Sequence, residues 1–312
     1  MTPLVKDVTI AIVSYNTRDL LETCLKSAVA EGPESVIVVD NASTDGSPQM
    51  VRSRFPDVTL ISSQSNLGYA AAVNEAVRAA QSPYVLVLNA DTTLLPGSLV
   101  PAKTYMGGHP RAAVAGPLLL TPGHSIQPSY FPFPGTLAWL VENNPIGPIA
   151  RYIPFVRGRL LRYTRPNGPF AVPWVLGAAL LIRRKAFDDV GGFDTSYFMY
   201  YEEVDFCFRL KSAGWEVHFV PMAKVTHVGG ASTSQRRTEM TLQHYDSTVR
   251  YYRRHYHGPR LVTWLWLVRI KMVLCYARDG LVLRFAGTSE RRLKAAERTR
   301  AWRLALFGRN RS

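Results

Sequence analysis

Cysteine is scarce in this chain. The three present, Cys24, Cys207 and Cys275, are odd in number, widely spaced and outside any C-x-x-C pair. That pattern argues against a disulfide framework or a thiolate zinc site and fits a reducing cytosol. Long apolar runs are missing as well: nothing reaches about 18 uninterrupted apolar residues, so no membrane-spanning helix is expected. The opening MTPLVKDVTIAIVSY holds one short apolar run with no basic leader or small-residue cleavage site, and is expected to be a first strand and not a signal peptide. No G-x-G-x-x-G follows that strand and no P-loop occurs anywhere, which disfavours a dinucleotide or ordinary ATP site. Acid is deficient in one region only. Residues 1–249 carry 21 Lys+Arg against 20 Asp+Glu, a net of +1, whereas residues 250–312 carry 16 against 3, a net of +13.

What is present is an alternation of short β-branched runs with helical patterns, the mark of βαβ units and a mostly parallel sheet. Strands are expected at 8–14, 36–40, 58–62, 84–88 and 112–115, with helices at 18–30, 47–54 and 69–80 between them. Each strand of this series runs into a polar cluster: Tyr15-Asn16, Asp40-Asn41, Asn66-Leu67-Gly68 and Asn89-Ala90-Asp91. In an open α/β sheet ligands bind beyond the carboxyl ends of strands, so these clusters should converge on one crevice. Residues 117–170 are rich in Pro, Gly and aromatics with weak periodicity, which suits a binding loop and yields no secondary structure of its own. Order is expected again as a strand at 172–184, helices at 185–190 and 202–213, two short strands at 216–220 and 224–226, and a long helix at 235–255. Two further helical stretches fill the basic tail. The division that charge suggests is 1–249, with halves at 1–116 and 117–249, and a tail at 250–312.

Four segments carry chemistry. Asp40 ends a buried strand, where a carboxylate can accept hydrogen bonds from a base or ribose, while Asp45 has the placement of a turn or helix cap. Asp91 follows the apolar strand YVLVLN, and an acid there needs a partner, for which a divalent cation bridging diphosphate oxygens is the natural choice. Glu202, Glu203 and Asp205 crowd the start of one helix. They complement its dipole, and crowding raises the pKa of at least one of them, as a general base requires. Asp205 and Arg209 are spaced for an i, i+4 ion pair. His227 lies between a short strand and a Gly-Gly turn.

Taken in order, IVSYN, VDNASTDGS, NLGYAAAVN, VLNADT, W-x-x-GA-x-LLIRR, GGFD, FMYYEEVDFCFRLKSAGW and H-x-x-G-x-S resemble the family 2 glycosyltransferases, in particular the bacterial rhamnosyltransferase-like enzymes of cell-envelope polysaccharide assembly. These elements span roughly residues 8–232. The resemblance implies a GT-A fold, a nucleotide-sugar donor bound by Asn16, Asp40, Asn66, Gly68, Asn89 and Asp91, and an inverting displacement on a lipid-diphosphate-linked or glycan acceptor. It implies Mg²⁺ or Mn²⁺ held by Asp91 and His227, with Asn89 standing where the family's D-x-D-like motif has its first acid. It places Glu203 at the general-base position, with Glu202 as the alternative and Asp205 beside them, and puts Trp174 and Gly177 on the acceptor side. A nucleotidyltransferase making nucleotide-sugars, or a catalytically inactive sugar-binding scaffold, are the competing functions. The first would ordinarily show a Gly-rich basic loop where this chain reads SYNTRD.

The tail mixes Trp, Leu and Val with sparse cations in LVTWLWLVRIKMVLCYARDGLVLRF, which suits a lipid surface better than a nucleic-acid duplex. Basic amphipathic helices on an anionic leaflet, holding the protein peripherally at the cytoplasmic face of the membrane through Trp264, Leu265, Trp266 and their neighbours, are the expectation.

Overall fold

A computed structural model of the chain describes residues 5–135, 168–230, 236–285 and 288–308. The described chain forms two compact units, Met1–Tyr197 with Glu202–Ala231, and Phe198–Tyr201 with Ser232–Ser312. The charge boundary at residue 249 falls inside a helix of the second unit, whereas the contacts divide the chain between residues 231 and 232.

The first unit opens with strand β1 (Val5–Ser14), helix α1 (Arg18–Ala30), β2 (Pro33–Asp40), α2 (Ser47–Arg54), β3 (Thr59–Ser62), α3 (Tyr69–Ala79) and β4 (Tyr84–Asn89). Val8, Ile10, Ala11 and Ile12 of β1 are fully buried, so both faces of that strand are covered, as expected of a strand inside a parallel sheet. Helix α1 buries Leu21, Cys24, Leu25 and Ala28, a single stripe at helical spacing. Burial pushes the Cys24 thiol up to about 12, so it serves as a small core residue.

After β4 come β5 (Thr92–Leu94), α4 (Leu99–Gly108), β6 (Ala112–Leu120), the short strands β7 (Ile126–Gln127), β8 (Tyr130–Phe131), β9 (Phe170–Ala171) and β10 (Trp174–Val175), then β11 (Ala179–Arg183), α5 (Arg184–Asp189), α6 (Glu202–Ser212) and β12 (Glu216–His227). The main sheet runs β3-β2-β1-β4-β11-β6-β12-β5. Strands β3, β2, β1 and β4 are mutually parallel, β6 and β12 are parallel, and β11 lies antiparallel between the two groups.

Two expectations need correction. Residues 172–184 are not one strand, because Gly177 and its neighbours break the run into β10 and β11. Conversely, 216–220 and 224–226 are joined in the single strand β12, whose register shifts between Val220 and Lys224; a bulge hides continuity from a period-2 reading. Strand β5 and helix α4 had no clear pattern in the sequence. The N-terminus of α4 is held by buried Glu31, 66 and 68 residues away, which accepts from the N–H groups of Gly97 and Leu99 at 2.7 Å each. Of the loop 117–170, residues 136–167 lie outside the described residues.

The second unit holds α7 (Arg237–His255), α8 (Gly258–Phe285), α9 (Ser289–Arg303) and a terminal π-helical turn, Leu304–Gly308. Asp279 of α8 is fully buried and accepts from Arg298 Nε at 3.0 Å and Trp302 Nε1 at 3.2 Å, both on α9. Against the cost of burial, Arg298 and then the adjacent Arg278 hold its carboxyl below the usual range.

Between α5 and α6 lies the GGFD turn, clamped by Asn74 of α3. The Asn74 Nδ2 donates to Phe193 O and Phe193 N donates to Asn74 Oδ1, both at 2.8 Å and both buried. Gly192 sits there at φ +75°, where a Cβ would approach Phe187 and Asn74 to 2.6 and 2.7 Å. Replacing Asn74 with Ala leaves a buried N–H and C=O without partners, so the variant should lose about 2–4 kcal/mol of unfolding free energy. Urea titration checks this, and a loss under 0.5 kcal/mol contradicts the clamp.

Candidate active site

Parallel strands β1, β2 and β4 all deliver their carboxyl ends to one edge of the sheet, and the loops there build the site. Beyond β2, Asp40 is 1% exposed; its Oδ2 accepts from Ser43 N at 2.9 Å, while its Oδ1 has no hydrogen-bond partner. A buried carboxylate oxygen left in this state costs free energy unless a ligand donor reaches it. Asn16, at φ +50°, accepts from Thr44 N at 2.8 Å and its own N–H donates to Ser43 Oγ, which ties the first loop to the second. Asp45 is a cap: it accepts from Arg18 N, Ser47 N and Ser47 Oγ.

Asn66 and Gly68 are arranged by a residue that the sequence did not single out. Buried Asn41 donates from Nδ2 to Asn66 Oδ1 at 2.9 Å and to Gly68 O at 3.1 Å, and accepts from Leu67 N at 2.9 Å. The Asn66 carbonyl is further occupied by Gly68 N. Gly68 has φ +86° and ψ 171°, a region open to glycine alone, and starts α3 immediately afterwards. Asn66 and Gly68 therefore shape the loop through their internal bonds.

Asp91 and His227 come together through sheet pairing. Antiparallel β12 and β5 set His227 opposite Thr92, and Val228 N donates to Asp91 O at 3.0 Å. His227 Nε2 stands 3.5 Å from Asp91 Oδ1, and its Nδ1 lies 3.1 Å from Gln127 Oε1. That amide oxygen accepts from Nδ1–H, which leaves Nε2 turned toward the carboxylate. An imidazole anchored through one nitrogen, with the other facing a carboxylate, is a common arrangement for a metal ligand. Asn89 Oδ1, buried and without a partner, lies two residues before Asp91. Among the described residues no group of three or more His, Cys, Asp or Glu is placed to hold a metal ion. Mg²⁺ and Mn²⁺ are ions that suit a carboxylate such as that of Asp91.

Antiparallel β11 brings the acid pair to the same edge. Asn89 N donates to Ala178 O at 3.0 Å, so Gly177 is held beside the end of β4. Glu202 and Glu203, 5% and 8% exposed, start α6 there, and the Gly177 backbone lies 3.5 Å from the Glu203 side chain as measured from the Cβ it lacks. Burial pushes Glu202 well above the ordinary carboxyl range, and the charge of Glu203 adds to this. Burial raises Glu203 too, but the N–H groups of its own residue, Gly177 and Val204 work against the rise. Both members of the coupled pair are thus pushed toward the protonated form, and their titrations belong to the pair.

Tyr69, at the start of α3, links the two clusters. Its buried hydroxyl donates to Gly177 O at 2.8 Å, and burial followed by the charges of Glu202, Glu203 and Asp91 drives its pKa well up. One hydroxyl feeling all three acids places them around a common space. The pairing of Tyr69 with a residue 108 positions away gave no signal in the sequence.

Asp205 does not join them. Fully buried, it accepts from Arg209 Nε at 2.7 Å, and the same guanidinium donates to Val190 O and Gly192 O. It locks α6 to the GGFD turn, which withdraws it from the candidate catalytic acids. Trp174 braces the β8–β10 ribbon, with Nε1 donating to Pro132 O at 2.9 Å and its ring stacked on Phe131 at 4.8 Å.

A raised carboxyl pKa means that the folded state holds a proton which the unfolded chain releases, so stability falls as pH rises from the ordinary glutamate value toward the raised one. Glu202→Gln removes that penalty. The variant should melt higher than the parent at pH 7.5, with the difference shrinking as pH is lowered toward about 4.3; a lower melting temperature at pH 7.5 counts against the assignment.

The family model for glycosyl transferase family 2 matches residues 9–191, and that for glycosyl transferase family group 2 matches residues 159–306. The chain is 34% identical over 302 residues to the N-acetylglucosaminyl-diphospho-decaprenol L-rhamnosyltransferase of Mycobacterium tuberculosis, covering 91% of this chain and 95% of the relative. It is 25% identical over 246 residues to the low-salt glycan biosynthesis hexosyltransferase Agl10 of Haloferax volcanii, covering 78% and 73%. Among solved structures, the mannosyltransferase PcManGT of Pyrobaculum calidifontis, in complex with GDP-Man and Mn²⁺, superposes with a TM-score of 0.54 at 18% identity, covering 97% of this chain and 88% of that one. GalNAc-T7 with UDP, GalNAc and Mn²⁺ gives 0.57 at 13% identity, covering 95% and 55%. On sequence and on fold alike, the chain belongs to family 2 of the glycosyltransferases and carries the GT-A architecture.

Proposed function

We propose that the chain transfers a sugar, with rhamnose the first candidate, from a nucleoside-diphosphate donor to a lipid-diphosphate-linked or glycan acceptor in cell-envelope synthesis, with inversion at the anomeric carbon. The observation that carries this reading is the buried pair Glu202/Glu203, placed by Gly177 at the sheet edge that also holds Asp91, His227 and the unpartnered oxygen of Asp40. The similarity to a rhamnosyltransferase over nearly all of both chains supports the sugar and the lipid-linked acceptor. Such an acceptor would bring the enzyme to the cytoplasmic face of the membrane as a peripheral protein.

In this reading Asp40 Oδ1 accepts a hydrogen bond from the nucleoside, and the loops fixed by Asn16 and Asn41 shape its pocket. Asp91 and His227 would hold a divalent ion that neutralises charge on the leaving diphosphate. Glu203 takes the proton of the acceptor hydroxyl as that oxygen bonds to the anomeric carbon and the bond to the diphosphate breaks on the opposite face. A proton kept within the Glu202/Glu203 pair spares the base a second negative charge beside it, and Gly177 holds the Glu203 carboxylate in place. Trp174 and Gly177 lie on the acceptor side.

A donor screen tests the reading: nucleoside-diphosphate release from dTDP-, UDP- and GDP-sugars is followed with and without a polyprenyl-diphosphate-linked acceptor. Acceptor-dependent release from one donor is expected, whereas no release from any donor rejects it. Glu203→Gln should retain donor binding and lower kcat by about 10²–10⁴. If Glu202→Gln shows that loss and Glu203→Gln stays active, the base is Glu202.

Chelation by EDTA should abolish transfer, and Mg²⁺ or Mn²⁺ should restore it. Full turnover in EDTA removes the ion from Asp91 and His227.

A further inference from the structure

No helix among the described residues is long and apolar enough to cross a membrane, yet α8 exposes large apolar side chains in an ordered pattern. Val262, Trp266, Ile270 and Leu274 follow at i, i+4 steps, and Leu281 and Phe285 continue the row one heptad on. All six are between 50% and 73% exposed. At roughly 100° per residue they fall within an arc of about 140° on the helix surface. The buried residues of α8, Val268, Met272 and Asp279, lie on the opposite side. The reason for that division is the Asp279 anchor: Arg298 and Trp302 bind it from α9, so α9 covers the Asp279 side and leaves the apolar arc uncovered.

The charges are placed to match. Arg260 and Arg269, both exposed, lie about 20° outside the two edges of the arc on the same projection. Arg284, exposed within it, reaches over the Phe285 ring at 5.7 Å. An apolar helix face edged by long cationic side chains suits the boundary between acyl chains and headgroups, where the rings and branched chains bury and the guanidiniums reach out to phosphate. A second copy of the chain is a poor occupant, since each copy brings the +13 of residues 250–312 (16 − 3) to the contact. Nucleic acid would neutralise the charge and leave the apolar arc in water.

We propose that this face of α8 is a docking surface for an anionic lipid bilayer, on which the helix lies in the plane of the headgroups. The expected role of Trp264 changes with it: that ring stacks on Tyr252 of α7 at 5.7 Å with an interplanar angle of 6°, and Trp266 is the tryptophan that inserts. The physiological meaning of the surface rests on the reading of a lipid-linked acceptor, so the experiment separates the two. Flotation uses vesicles of phosphatidylcholine with and without phosphatidylglycerol, free of any acceptor, while nucleoside-diphosphate release in the donor screen, run without vesicles and with the acceptor in detergent, reports the catalytic site.

The full-length parent should float with phosphatidylglycerol vesicles, less so as salt screens the charges, and not with phosphatidylcholine alone. Trp266→Glu with Ile270→Glu should cut the bound fraction about tenfold, whereas Val29→Glu, on the exposed face of α1, should not. Neither variant should change acceptor-dependent donor turnover in detergent. A charge-only variant, Arg260→Gln with Arg269→Gln, keeps the apolar face and should weaken binding most at low salt. The proposal is overturned if the parent fails to float at any salt, or if the Trp266/Ile270 variant floats as well as the parent. It is overturned equally if sedimentation shows a parent dimer that this variant dissolves in the absence of vesicles. Vesicle binding by a protein that releases no nucleoside diphosphate from any donor, even with the polyprenyl-diphosphate-linked acceptor, would leave the docking surface standing and reject the proposed transfer.

Discussion

Strand β11 pairs antiparallel with β4, placing Ala179 against Leu88 and letting Asn89 N donate to Ala178 O. Four parallel strands precede it in the sheet order and a parallel pair follows, so this reversed strand is the seam on which both groups hang. Because β11 runs the other way, the residues that precede it meet the residues that follow β4. Gly177 is thereby set next to Asn89 and Asp91, and α6 can bring Glu203 against Gly177. A parallel strand in that place would send its leading residues to the far edge, away from the donor loops.

Around the seam, polar groups divide by whether the protein satisfies them. Asn41, Asn74, Asp45, Asp205 and Glu31 are tied by hydrogen bonds to backbone, to the Asn66 and Ser47 side chains or to Arg209, and each fixes a loop or a helix end. Asp40 Oδ1, Asn89 Oδ1, Glu202 Oε2 and Glu203 Oε2 are among the buried side-chain atoms with no such partner. An unpaired buried oxygen costs stability, and these four belong to residues at one sheet edge. In the proposed function they are the ones that would meet a ligand or a proton.

The same contrast holds in the second unit. Asp279, a fully buried acid, is neutralised across a helix pair, while a row of large apolar side chains stands in water on the free side of α8. Side chains that could form a core are displayed, and a charge that ought to be displayed is buried. Pairing with Arg298 and Trp302 explains the second, and a lipid surface would explain the first.

The alternation of apolar runs with helical patterns determined the βαβ half, and helices 18–30 and 47–54 end where the structure ends them, because local periodicity and turn chemistry suffice there. Asp40, Asp91, His227 and the acids at the start of α6 stood out as candidates from residue type, position and the order of the motifs, with Glu203 set apart from Glu202 by the resemblance alone. Their mutual arrangement was not legible, because it depends on pairings such as β12 with β5 and β4 with β11 that join residues far apart in the chain. Asp205 looked like a third acid of a cluster, and only the fold shows that its charge is spent on Arg209. Tyr69, Asn74 and Gln127 carried no signal, since a tyrosine, an asparagine or a glutamine becomes a hinge of the site only through the partner that tertiary structure supplies. In the tail, composition determined a basic, apolar, non-spanning segment; which side of α8 faces outward was decided by a single buried aspartate and the helix that binds it.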